Sequence, residues 1–176
     1  MFDLVSKHVA GFARFGFSSA YSLEKLQRNL YLMTQSHDEV RMLAKKRRLF
    51  FLTTFEPDTG AIRAVATAGS AFLVPLAPLL ACSGSKRASL ISRMRLFVRQ
   101  CLKYRAAFVL CSLAENEEGI RSVQETAALA ETLLGLSYEQ SMSAMKLLPE
   151  IIGRVEEGQN SSTNEDIAQD LMKASE

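Results

Sequence analysis

Short apolar runs alternate along this chain with longer stretches of helical period, and that alternation limits the fold more than any other feature. The runs Leu49 to Thr54, Ala71 to Val74 and Ala106 to Cys111 are continuous and apolar, as expected of strands covered on both faces. Met1 to Val5, Phe17 to Tyr21 and Leu30 to Thr34 are further extended candidates. Between them lie helical segments. Ser6 to Phe15 is weakly helical, Ser36 caps a helix ending in Lys45 to Arg48, and Ala61 to Ala68 is closed by Gly69. Ser85 opens a long helix to Tyr104, Val123 to Leu134 is closed by Gly135, and Ser137 starts a helix through Met145. Pro149 is expected to open a last short helix to about Glu157. Strands alternating with helices indicate an α/β fold with a largely parallel sheet. A closed eight-stranded barrel usually needs about 250 residues, so 176 residues favour an open sheet or a reduced barrel. The division expected is one domain over 1–157 and an acidic flexible tail over 158–176.

Charge is divided as sharply as hydrophobicity. Residues 1–114 hold 17 Lys/Arg against 6 Asp/Glu, and residues 115–176 hold 4 against 13. From Thr59 through Ala114 there is no carboxylate, yet Arg63, Lys86, Arg87, Arg93, Arg95, Arg99, Lys103 and Arg105 all fall there. A field of one sign suits a polyanion, and nucleic acid is the commonest one; scattered solubilising cations are the plainer alternative. In the long helix, Leu90, Ile91, Met94, Phe97, Val98, Cys101 and Leu102 share one arc, while Arg95, Arg99 and Lys103 lie outside it, one turn apart. Like charges at that spacing do not stabilise a helix, so phosphate contact competes with simple snorkelling of the side chains. Leu96 departs from the apolar arc and is a candidate protein contact.

Other chemistries are thinly represented. His8 and His37 are the two histidines, and no HExxH, paired-cysteine or phosphate-loop motif occurs. His37 reads as a solvated first-turn residue. Cys82, Cys101 and Cys111 read as reduced core residues rather than a disulfide frame or zinc ligands. Glu115, Glu117 and Glu118 follow a strand end, where an α/β site usually lies, but no fourth partner is identifiable. No catalytic or metal-ligating residue is assigned, and no signal peptide or membrane span is expected. A cytoplasmic location follows from these expectations.

The block Phe108 to Ile152 resembles the C-terminal region of ribonuclease P protein component 3, the archaeal counterpart of the eukaryotic thirty-kilodalton subunit. The matching positions are Cys111, Ser112 and Ala114; Arg121; Leu134, Gly135, Leu136 and Ser137; Ala144; and Pro149, Ile151 and Ile152. Phe15-Gly16-Phe17 and the helix end Ala44 to Arg48 extend the likeness upstream. Leu113 stands where the family usually has Gly, and Val123 where a Pro often follows the Arg. The resemblance implies a TIM-barrel-like fold of the polymerase and histidinol phosphatase type, reduced or incompletely closed, without its metal site. It implies a noncatalytic subunit of an archaeal ribonucleoprotein endonuclease that removes the 5′ leader of precursor tRNA. The partners implied are ribonuclease P RNA, protein component 2 and, through the assembled complex, precursor tRNA. The resemblance also implies that no cofactor is bound by the protein itself and that Mg²⁺ is associated with the RNA.

On this reading the RNA-contact candidates are Lys45, Lys46, Arg47, Arg48, Lys86, Arg87, Arg93, Arg95, Arg99, Lys103 and Arg105. Arg121 either contacts RNA or ties down the acidic loop. Leu96, Tyr138 and Met142 are the protein-contact candidates, with core packing the alternative for the methionine. Two rival functions remain open: a small metal-dependent hydrolase using Glu115, Glu117 and Asp3, and a protein scaffold with an incidental basic face.

Overall fold

A computed structural model describes residues 2–5, 12–22, 31–46 and 48–153. The strands are β1 (Phe2–Val5), β2 (Ser19–Ser22), β3 (Tyr31–Thr34), β4 (Leu49–Leu52), β5 (Ala71–Pro75) and β6 (Ala107–Cys111). The helices are α1 (His37–Leu43), α2 (Thr59–Ala68), α3 (Ala77–Ala81), α4 (Gly84–Tyr104), α5 (Val123–Leu129) and α6 (138–153). A π turn, Ala130–Leu134, continues α5. All pairing is parallel: β1 with β2, and β3-β4-β5-β6 in chain order. Leu113 N donates to Leu4 O at 2.9 Å, tying β1 beside the end of β6. Chain-order parallel strands are the barrel pattern, but among the described residues no ladder joins β2 to β3. The fold shown is a mixed α/β one with parallel sheets.

Local sequence explains most element ends. Ser36 and Asp58 cap α1 and α2 by accepting from the N–H groups of Glu39 and Ala61, satisfying donors that a first turn leaves free. Ser122 and Glu125 form a full capping box at α5. The sheet then decides the packing. Along β5 and β6, Phe72, Val74, Phe108 and Leu110 enter the main core, whereas Ala71, Leu73, Val109 and Cys111 enter a second cluster on the other face. This is the two-residue period of a strand buried on both sides. In the main core Phe97 of α4 meets the rings of Phe72 and Phe55 edge-on, with centroids 5.0 and 5.8 Å away.

Several expectations need correction. Pro149 does not open a new helix, because α6 runs through it. A proline inside a helix costs about 3 kcal/mol, but burying Leu148, Ile151 and Ile152 against Leu4 and Leu73 is worth about 1.5–3 kcal/mol for each side chain. β5 exits into the short helix α3, which the strand-and-helix reading of the sequence does not include. Of the weak helix expected over Ser6 to Phe15, Phe12–Phe15 forms a 3-10 turn and the rest lies outside the described residues. The tail also lies outside them. Cys101 and Cys111 are buried and free, with burial pushing the Cys101 thiol up to about 12, while Cys82 is only half-buried. No helix among the described residues is long and apolar enough to cross a membrane.

Candidate nucleic-acid interface

Because the strands are parallel, every segment leading into the four-stranded sheet reaches the same edge. Lys45, Lys46 and Arg48 lead into β4, and Lys103 and Arg105 lead into β6. Leu49 is in register with Ala71, and Ala71 with Ala107. Two strand spacings therefore place the two basic clusters about 10 Å apart across the N-terminal edge of the sheet. Lys45, Lys46, Lys103 and Arg105 are exposed and Arg48 is half-buried. None of them joins the ion pairs formed among the described residues. Arg47 lies outside the described residues.

The remaining candidates separate from this edge. Lys86 and Arg87 stand in the first turn of α4, about 25 Å from Lys103 at 1.5 Å per residue. Arg93 and Arg99 are exposed between them. Arg95 is engaged within the protein: its Nε donates to Leu133 O at 3.2 Å and a terminal nitrogen to Thr132 O at 3.1 Å. The free carbonyls at the end of a helix attract such a cation. Arg121 donates to Glu118 O at 2.7 Å and to Ile120 O at 3.2 Å, so it ties down the acidic loop. Leu96 is 46% and Tyr138 53% exposed, which leaves both available to a partner, whereas Met142 is partly buried against the main core.

The C-terminal edge is of opposite character. Asp38 and Glu39 follow β3, and Glu115, Glu117 and Glu118 follow β6. Arg41 bridges Asp38 and Asp58 at 2.7 and 3.3 Å, Arg14 pairs with Glu117, and Thr34 hydrogen-bonds to Glu39. His37 contacts Glu56 O at 2.8 Å and is half-buried rather than fully solvated. Asp3 is buried. Its Oδ1 accepts from Ser112 N at 2.8 Å and Leu4 N at 2.9 Å, while Oδ2 has no hydrogen-bond partner among the described residues. Burial raises its pKa despite the lowering effect of the hydrogen bonds from Ser112 and Leu4. Asp3, Glu115 and Glu117 are not brought together: among the described residues no three His, Cys, Asp or Glu side chains gather as a metal group. His8 lies outside the described residues.

Sequence reasoning passed over Arg63 and Tyr104 as site residues. The Arg63 guanidinium lies 4.9 Å from the Tyr104 ring centroid and the Lys103 ammonium 5.3 Å. Arg63 had appeared only as one of the cations of the acid-free stretch, and no sequence spacing joins it to residue 104.

The N-terminal edge of this parallel α/β fold carries cations that stand outside the ion pairs formed among the described residues, a surface whose charge suits a polyanion. Comparison with known sequences narrows this. No family model matches the chain. It is similar to ribonuclease P protein component 3 of Methanosarcina mazei, 34% identical over 113 residues that make up 60% of this chain and 47% of the relative. The protein of the same name from Methanosarcina acetivorans is 37% identical over 90 residues, 51% of this chain and 37% of the relative. These matches establish a family-level relationship to archaeal ribonuclease P protein component 3, and the chain spans less than half the length of either relative.

Proposed function

We propose that this chain is a noncatalytic protein subunit of ribonuclease P, which binds and supports the catalytic RNA during 5′ leader removal from precursor tRNA. Cations along α4 and the N-terminal edge reduce repulsion between RNA phosphates. Hydrolysis is left to the RNA and its Mg²⁺, which the protein does not itself bind. Protein component 2 is the proposed protein partner, with Leu96 on α4 and Tyr138 on α6 as exposed contact points and Met142, partly buried against the main core, as a further candidate on α6. Precursor tRNA is reached through the assembled complex, in the cytoplasm. The observation that carries this reading is the set of cations at the N-terminal edge that have no carboxylate partner among the described residues, in a chain related to component 3.

Reconstituted precursor-tRNA cleavage at limiting Mg²⁺, with and without the chain, tests it. The wild type is expected to raise the rate. Arg99→Glu with Lys103→Glu is expected to abolish that gain and to weaken RNA binding more than 10-fold, with the circular-dichroism spectrum unchanged. An equal rate with and without the wild-type chain would overturn the reading. Arg95 is left intact because its contacts to Thr132 and Leu133 would confound folding with binding.

A further inference from the structure

Three non-glycine residues among those described have left-handed backbone: Phe55, Leu113 and Arg105. Such a conformation is unfavourable for a residue with a Cβ and persists where the surroundings compensate. For Phe55 the compensation is burial, since it is 1% exposed and packs on Phe97. Leu113 is also buried, and its N–H holds β1 through Leu4 O. Arg105 is compensated only by backbone hydrogen bonds at the helix end and not by burial. It is exposed, and its guanidinium has no hydrogen-bond or ion-pair partner among the described residues.

Its position makes the choice of residue more telling. Arg105 N donates to Leu102 O at 3.2 Å and Ala106 N to Cys101 O at 2.9 Å, the Schellman closure of a helix. Glycine is the usual residue there. This chain places Gly69 and Gly135 at the left-handed ends of α2 and of the π turn, yet keeps an arginine at the end of α4. Beside it, the Arg63 guanidinium and the Lys103 ammonium both lie against the Tyr104 ring, 4.9 and 5.3 Å from its centroid. Partial desolvation pushes the Tyr104 phenol up, but Lys103, Thr59 and Arg63 outweigh it and bring the group below its usual range. Glu139 lines the neighbouring groove with Leu102 and Ala106 and forms no ion pair with these cations.

We propose that Arg63, Lys103, Tyr104 and Arg105 form a corner that binds backbone phosphate of RNA, at the end of α4 where it meets the N-terminal edge of the sheet. The proposal rests on the RNA-binding reading above and adds two residues that neither sequence cluster contains. The guanidinium and ammonium groups supply charge-assisted hydrogen bonds to phosphate oxygens, and the phenol supplies one further donor. The ring orders the two cations, so less side-chain freedom is lost when the anion arrives.

The test uses the full chain and a transcript of Methanosarcina mazei ribonuclease P RNA, with affinity measured against KCl concentration. Arg105→Gly places the favoured residue in the left-handed position, so its melting temperature is expected to equal or exceed that of the wild type. Its affinity is expected to fall about 5-fold at 0.15 M salt, with the logarithmic salt slope reduced by about one. Arg63→Gln should behave likewise in binding, and Lys146→Gln on α6 should bind as the wild type does. If Arg105→Gly and Arg63→Gln bind normally while Lys45→Glu with Lys46→Glu weakens binding, the corner is wrong and the RNA reading stands. A wild-type chain that does not bind the transcript sinks both. A lowered melting temperature with unchanged affinity for Arg105→Gly makes the arginine a structural cap only. Unchanged RNA affinity with loss of a protein partner makes the corner a protein contact instead.

Discussion

The two edges of the parallel sheet are built from the same backbone and carry charge in opposite ways. At the C-terminal edge, Arg14, Arg41 and Arg121 are joined to Glu117, to Asp38 and Asp58, and to the carbonyls of the acidic loop. At the N-terminal edge, Lys45, Lys46, Lys103 and Arg105 are exposed and have no such partners among the described residues. Charge at the first edge fixes loops in place; charge at the second is not committed to an ion pair among the described residues. The usual expectation for an α/β fold puts the site outside the C-terminal ends of the strands. Here the more reactive electrostatics lie at the other end.

If that division is right, stability resides in the core and the C-terminal loops, and the N-terminal cations contribute little to it. Phe97→Ala removes the ring that Phe55 and Phe72 meet edge-on and should lower the unfolding free energy by about 3–5 kcal/mol in urea titrations. A much smaller loss would mean that the basic helix is held by something other than its buried face.

The next effect concerns pH. Burial raises the Asp3 pKa above its ordinary 3.8, so the folded protein favours the protonated carboxyl. That contribution is fully present below the ordinary value and is lost as pH rises through the raised one. The slope it can add is at most about 1.4 kcal/mol per pH unit. Asp3→Asn should remove the decline, read as the wild-type minus variant difference in unfolding free energy between pH 4 and 8. A flat difference would show that the C-terminal edge does not strain this group.

Smaller still, Ser122→Ala breaks the capping box of α5 and should cost about 1 kcal/mol. Lys46→Gln should change stability by less than about 0.5 kcal/mol. Equal losses for the two, measured by the same chemical denaturation, would erase the contrast between the edges.

Much of this organisation was legible in the residues. Six strands are expected, and among the described residues six stand close to those positions; for β4, β5 and β6 the reason is the continuous apolar run that a strand covered on both faces needs. Ser36, Gly69 and Gly135 marked helix ends through local hydrogen bonding and backbone freedom. Pro149 misled because its local preference was outweighed by burial of Leu148, Ile151 and Ile152 on a face that sequence does not reveal. Arg95 and Arg99 look equivalent one turn apart, yet the end of the π turn meets only the first through its carbonyls. Leu113 shows the same limit. A leucine by its own type gives no sign of positive φ, although the resemblance that puts Gly at this position does, and burial together with the bond to Leu4 holds its backbone.

By itself the sequence determined the α/β class, the two-sided burial of β5 and β6, and the separation of a basic body from an acidic end. Those properties follow from side-chain period and composition, which act locally. The tertiary structure decided which cations share an edge, which are already bound to carbonyls or carboxylates, and that Arg63 meets Tyr104. Parallel pairing gathers residues far apart in the chain onto one rim, and it depends on strand direction and register rather than on neighbours in sequence.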